Sequence, residues 1–446
     1  MSGNSPRVAV IGGGCAGLAA AARLAQNNIA VTLFEASPHL GGRARGVQWK
    51  GLCLDNGQHI LLGAYSETLQ LLELAGVDPK QVFLRLPLQL NMHGQLSLNA
   101  PGWLPAPLHI IAAFAFAKGL SLQERLAAIR FMLWMKLSGF TLPRDETLQD
   151  LLQRKRQPER VTQLIWEPLC LAALNTPLSE ASAQVFLNVL RDSFAKARSD
   201  SDMLLPRCDL SSLMAEPLAA YIRQKGGEIR LDAAVGKLEQ ADGFIVETAD
   251  GARAQFSHVI LATSPFRLQP LMSSLDASAV IPDIAEFSYQ PIYTVYLQYP
   301  ETVQLTTPML GLAKTADVAF HGQWIFDRGQ LCSQLGLVSV VISAEGPHQR
   351  LTQQELAQAV ADELAAIFPD LPAPQWHKVI AEKRATFACK ADMQRPLQQT
   401  QVSGLHLAGD YTSDGSVANL YPATIEGAVR SGLQCADHIL TDINQP

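Results

Sequence analysis

Arg7-Val-Ala-Val-Ile-Gly12-Gly-Gly14-Cys-Ala16-Gly17-Leu18 is the stretch that decides the fold of this chain. A short β-branched apolar run stops at glycines in G-x-G-x-x-G spacing, and Leu18 to Ala25, rich in alanine, reads as the start of a helix. The order predicts strand, tight turn, helix. Three separate demands place the glycines: one makes the turn, one lets backbone approach a pyrophosphate, and one lets helix and strand pack closely. Gly12, Gly14 and Gly17, with Ala16 between them, are therefore candidate nucleotide contacts. A second apolar run, Ile29 to Phe34, ends in Glu35, 23 residues after Gly12. An acid there holds ribose hydroxyls, whereas an Arg would suit a 2′-phosphate, so NADP is disfavoured as the tightly held nucleotide.

The whole composition is consistent with such a fold. With 446 residues, 48% hydrophobic and 17% charged, the chain can bury a large core in two to three domains, which excludes disorder and fibrous repeats. Lys plus Arg is 35 against 41 Asp plus Glu, a net charge of −6, so no nucleic-acid partner is expected. Charge is also sparser than in an average soluble domain, which predicts some apolar surface. Seven scattered cysteines with no C-x-x-C pair suggest neither a disulfide scaffold nor a metal site, and a reducing cytoplasm fits them best. The N-terminus does not read as a signal peptide, and no window has the 18 or so uncharged apolar residues of a spanning helix. The expected protein is cytoplasmic, soluble or resting on the inner face of a membrane.

Which dinucleotide is bound is indicated by the next segment. Ala36 to Arg45 reads A-S-P-H-L-G-G-R-A-R, and Gly41-Gly42-Arg43 resembles the FAD-binding signature of the amine oxidase and phytoene desaturase superfamily. The resemblance implies FAD, with Gly42 and Arg43 at its diphosphate. Leu54-Asp55-Asn56-Gly57-Gln58-His59 is similar to a stretch that lies beside the flavin in that family, which implies that the amides of Gly57 and Gln58 face the ring system. His59 so placed is a candidate proton donor, or else a structural histidine bonded to a backbone carbonyl. Further downstream, Gly226 to Val235 resembles a run whose final valine offers its backbone to adenine. Phe244 to Thr248 and Ala254 to His258 flank the turn pair Asp250-Gly251 as a hairpin, and His258 to Ser264 reads as a buried parallel strand. Gly404 to Asp410 is another apolar strand ending at Gly409-Asp410, and Tyr421-Pro-Ala423 opens a helix. In the family the aspartate serves the ribityl or phosphate region, and the helix start turns its amides toward the flavin.

The resemblance implies an α/β fold: a Rossmann-like FAD-binding domain assembled from the discontinuous segments 1–80, 205–265 and 385–446, with an inserted α+β substrate domain from 81–204 and 266–384. Within the insertion, 25 of the 38 residues from Trp103 to Phe140 are hydrophobic, and Lys118, Arg125, Arg130 and Lys136 outnumber Glu124. This is either a surface that sits on anionic lipid or a buried helix pair with snorkelling basic side chains. Trp166-Glu-Pro-Leu-Cys170, Ala173 to Pro177, Ala183 to Asp192 and Asp202 to Arg207 resemble the squalene-associated FAD enzymes of bacterial hopanoid pathways. That likeness implies reductive dehydroxylation of hydroxysqualene to squalene, a C30 isoprenoid substrate held in an apolar channel, and squalene-pathway enzymes as partners. An acid must protonate the leaving hydroxyl; the candidates are His59, then Asp414, Tyr421 and Asp55. Asp55 also reads as a turn residue, Tyr421 as a helix-start staple, and Glu167 and Asn175 as helix-terminal residues. A carotenoid-type desaturase or isomerase is the nearer rival. A flavin amine oxidase, with an aromatic cage from Tyr293, Tyr296 and Trp324, and a flavin-bound lipid carrier are the others.

Overall fold

Val8 and Val10 point to one side of their strand and Ala9 and Ile11 to the other, and all four are buried because both faces of the sheet are covered. In this computed structural model, residues 6–272, 275, 287–312 and 320–444 are described. Those parts of the expected segments 1–80, 266–384 and 385–446 that fall on other positions lie outside the described residues. Arg7–Ile11 is the central strand of a five-stranded parallel sheet in the order Glu228–Arg230, Ala30–Phe34, Arg7–Ile11, His258–Leu261, Leu405–Leu407. Val8 and Val10 pack against the helices Cys15–Gln26, Glu216–Gln224 and Ile425–Asn444. Ala9, Ile11 and Phe34 face Phe244, Val246 and Phe256 of the antiparallel strands Gly243–Thr248 and Arg253–Phe256. The long final helix reaches the glycine turn because Gly432 has no side chain: a Cβ there would lie 2.1 Å from the Ala16 carbonyl oxygen.

A second, seven-stranded sheet runs in the order Trp376–Phe387, Tyr289–Gln298, Leu337–Ser343, Trp324–Asp327, Met309–Gly311, Gln89–Met92, Leu96–Asn99. Period-two alternation divides its side chains. Val295, Val340 and Ile325 pack with Leu356, Val360 and Leu364 of the helix Gln353–Ile367, while Trp324, Phe326 and Val341 face the opposite way. Helices Glu167–Leu174 and Ala183–Phe194 lie across that opposite face.

Two of the expected segment boundaries fall inside continuous strands. Met203–Pro206 spans the 204/205 boundary and pairs with both Leu61–Leu62 and Phe83–Leu86. Trp376–Phe387 spans 384/385, so the last residues of that strand bring Ala385 to Arg43. The two regions are joined by backbone ladders rather than by flexible linkers. No helix among the described residues is long and apolar enough to cross a membrane.

Candidate active site

The glycine turn leaves one opening. A Cβ on Gly12, whose φ is +113°, would lie 2.4 Å from the Ala262 carbonyl oxygen, and one on Gly17 would lie 1.9 Å from the oxygen of Gly12. Both glycines are therefore required by packing. A Cβ on Gly14 would meet nothing within 4 Å. Gly14 is also the N-cap of Cys15–Gln26 and offers no side chain to the helix's first amides, which remain available to an anion. Beside it, the Glu35 carboxylate accepts hydrogen bonds from the amides of Gly13 (2.7 Å) and Ser37 (2.8 Å). The Glu35 carbonyl accepts from Ala233, which brings the Val235 segment to the same end of the sheet. Gly42, at φ +58°, lies against Gly14. The open cradle at Gly14, the uncapped helix and the acid after the second strand fit the pyrophosphate and ribose of FAD.

Arg43 donates to Asp410 (2.7 Å) and to the Ala385 carbonyl (2.8 Å). Burial works against the Arg43 charge, but the Asp410 carboxylate outweighs it and holds the guanidinium pKa above its ordinary value. Gly409 is fixed by its amide, which donates to Ser431 Oγ of the final helix (2.8 Å).

From Arg43, Gly57 and Ala423 a cavity of about 300 Å³ extends between the second sheet and its covering helices. Leu88, Leu90, Leu169, Phe186, Ile292 and Trp324 are among the apolar walls. Its polar lining includes Glu382, Glu426 and Arg430 beside the pair Tyr421 and Asp192. Tyr421 donates its hydroxyl to Asp192 (2.8 Å), and Asp192 also takes Arg191 (2.9 Å) and Lys196 (3.2 Å). Burial raises the Tyr421 pKa, and the Asp192 charge adds to this, to about 12. For Asp192 burial acts upward, yet the Arg191 and Tyr421 hydrogen bonds and the neighbouring cations prevail and hold its pKa below the ordinary carboxylate value. At neutral pH the pair is a protonated phenol on an ionised carboxylate. Asn175, in the left-handed conformation at the end of Glu167–Leu174, is buried and ties Thr386, Pro291 and Ala344 together across the cavity wall.

The candidate acids separate in the structure. His59 lines the cavity, and its Nδ1 lies 2.6 Å from the Gly57 carbonyl. Burial lowers its pKa, against the smaller opposing effects of that hydrogen bond and of Asp55, so the ring is neutral and presents Nε2 as an acceptor. Of the two expectations for His59, the bond to a backbone carbonyl is present in the structure. Asp414 is exposed, outside the cavity lining, and its carboxylate caps Ser416 and Asn419 in its own loop. Asp55 is a structural group: it pairs with buried Arg328 at 2.9 Å and accepts from the Leu210 amide. Arg328 binds Gln58 Oε1 as well (3.0 Å), which holds Gln58 and Gly57 at the cavity edge. Of the proposed aromatic cage only Trp324 lines the cavity; Tyr296 is buried on the backbone of Asp55, and Tyr293 packs edge-on against His348. Asp192 was not among the expected site residues. It lies between Arg191 and Ser193 near the end of the helix Ala183–Phe194, where the sequence offers no signal that sets it apart.

A family model described as flavin containing amine oxidoreductase matches residues 15–440. Hydroxysqualene dehydroxylases of Rhodopseudomonas palustris and Sinorhizobium fredii are 29% and 27% identical to this chain, each over 98% of it and 99% of the relative. A 15-cis-phytoene desaturase of Capsicum annuum is 25% identical over 98% of the chain and 78% of its own length. Among solved structures, an oxidoreductase from Methanosarcina mazei superposes with a TM-score of 0.71 at 15% identity, covering 97% of this chain and 100% of the other. The open glycine cradle and a family match that runs through nearly the whole chain lead to the same place: this protein belongs to the flavin containing amine oxidoreductases and is an FAD-dependent oxidoreductase.

Proposed function

We propose that the protein acts on a long polyprenyl substrate, and that its reaction is the reductive dehydroxylation of hydroxysqualene to squalene. The observation that carries this reading is an apolar cavity that begins at the residues fitted to FAD and holds one Tyr–Asp pair, Tyr421 and Asp192, in its wall. The full-length likeness to hydroxysqualene dehydroxylases supports the choice of substrate. A C30 isoprenoid has almost no polar handle, so its binding rests on burying methyl and methylene groups at roughly 25 cal/mol per Å².

Reduced FAD, when bound, supplies the hydride that replaces the hydroxyl. The C–O bond breaks, a C–H bond forms, and the oxygen leaves as water after taking one proton. Hydroxide is a poor leaving group, and Tyr421, whose hydroxyl lies in the cavity wall, is the proton donor of this reading; its O–H, donated to Asp192 at rest, turns to the leaving oxygen as that oxygen gains charge. Asp192 orients the Tyr421 hydroxyl, and the apolar walls exclude water that would capture a developing allylic cation. Arg43, Gly57, Gln58 and Ala423 line the FAD end of the cavity, while Gly12, Gly14, Ala16, Gly17, Glu35, Gly42, Val235, Gly409 and Asp410 form the rest of the cofactor cradle.

A carotenoid-type desaturase is the second reading, favoured by the likeness to phytoene desaturase over nearly the whole chain. Supplying hydroxysqualene to the reduced protein and phytoene to the oxidised protein, with mass spectrometry of the products, separates the two. Squalene from the first supports dehydroxylation. A product with new conjugated double bonds, formed only from the second, moves the function to the desaturase branch.

A further inference from the structure

More than half of the exposed large apolar side chains among the described residues lie between Trp103 and Leu137. Trp103 and Phe116 are 80% and 79% exposed, and Leu137 is 87% exposed. In the helix Leu122–Leu137 the exposed Leu122, Leu126, Leu133 and Leu137 fall within an arc of about 60° at the α-helical turn angle. The other side of the same helix carries Ala127, Ala128, Phe131, Met132 and Met135, all buried in the core. One face of this segment is therefore core and the other is exposed apolar surface. An ordinary surface helix covers its apolar stripe and turns polar residues outward; this one is apolar on both faces, and the protein covers only one.

The charges around the uncovered stripe have one sign. Lys118, Arg130 and Lys136 are exposed and have no carboxylate partner among the described residues. Glu124, the single acid of the segment, is engaged in the capping box with Ser121. Arg125 donates to the carbonyls of Leu120 and Ala115, locking Leu108–Ala115 and Leu122–Leu137 into one unit. This local positive field stands on a chain of net charge −6. An apolar stripe edged by cations matches the boundary between acyl chains and anionic headgroups. A second copy of the chain is a poorer match, because a two-fold contact through this stripe would set Lys118, Arg130 and Lys136 against their own equivalents. Behind the stripe, His109 lies 2.9 Å from Ser201 Oγ, and Ser201 lines the cavity, so the exposed face and the cavity are one layer apart.

We propose that the face from Trp103 to Leu137 docks in the plane of an anionic lipid bilayer. The docking stands on this surface alone and does not depend on which polyprenyl reaction the cavity performs. The test is flotation of the FAD-loaded protein with vesicles of equal phosphatidylcholine and phosphatidylglycerol, and with phosphatidylcholine alone. The wild-type chain is expected to float with the mixed vesicles, less with phosphatidylcholine, and less again as salt rises. Leu126→Glu/Leu133→Glu should lower the bound fraction by about tenfold or more, and Lys118→Ala/Arg130→Ala/Lys136→Ala should remove the preference for anionic lipid. Both variants alter solvent-facing positions, so flavin absorbance per chain and turnover on detergent-dispersed substrate should stay at the wild-type level. A wild-type chain that stays out of the vesicle fraction overturns the proposal, as does a double-glutamate variant that floats as well as the wild type. So does a lipid-free dimer that the same variant abolishes while vesicle binding is absent.

Discussion

Gly14 and Glu35 show how the nucleotide end is built residue by residue. Gly14 has room for a side chain and therefore no packing reason to be glycine, whereas Gly12 and Gly17 have no room at all. Gly14→Val should leave the fold intact and abolish FAD retention, checked by the flavin absorbance and far-ultraviolet circular dichroism of the purified variant. These positions were readable in the sequence because turn, helix start and acid all lie within one short unit. The polar pair of the cavity was only half readable. Tyr421 and Asp192 are 229 positions apart, and no local pattern joins them. His59 drew attention as a histidine beside a glycine turn, but its protonation is set by desolvation, which sequence does not display. Tyr421→Phe keeps the ring and removes the proton. Turnover should fall by about 10² to 10⁴-fold with an unchanged flavin spectrum; a variant turning over at the wild-type rate would remove Tyr421 from the chemistry.

At the scale of elements, the parallel sheet and its helices follow from local signals. The strands of the nucleotide region are short apolar runs, closed by glycine or an acid after Arg7–Ile11, Ala30–Phe34 and Leu405–Leu407 and by Thr263-Ser264-Pro265 after His258–Leu261. The seven-stranded sheet has no comparable signal. Trp376–Phe387 pairs with Tyr289–Gln298 across some 90 residues of chain, and its register depends on alternation that many strands share. Expected boundaries consequently fell inside strands. The docking of Ile425–Asn444 on Cys15–Gln26 is likewise a long-range matter, made through the close approach of Gly432 to Ala16 and the Arg23–Asp437 ion pair (2.7 Å). Gly432→Val would drive its side chain into that carbonyl. It should destabilise the protein by about 1–3 kcal/mol or more and weaken FAD binding, because the same contact sets the glycine turn; thermal unfolding and flavin release report both effects.

Over the whole molecule, burial also sets the response to acid. His348 and His406 are both buried, and desolvation, assisted by His321 for the first and His438 for the second, lowers each pKa to about 4. In the unfolded chain these rings titrate near 6.5 and so bind protons that the folded chain refuses. Stability is therefore full above that value and is lost as pH falls toward 4, by about 2–3 kcal/mol for each histidine. Thermal unfolding at pH 7, 6 and 5 checks the slope, and His348→Asn/His406→Asn should flatten it. The central claim is that the FAD cradle and the apolar cavity serve one reductive reaction. Its most direct test is anaerobic: reduce the purified protein chemically, add hydroxysqualene, and follow the flavin spectrum and the products together. Reoxidation of the flavin with one squalene formed per flavin is the predicted result, and flavin that stays reduced in the presence of hydroxysqualene, with no squalene formed, would contradict it.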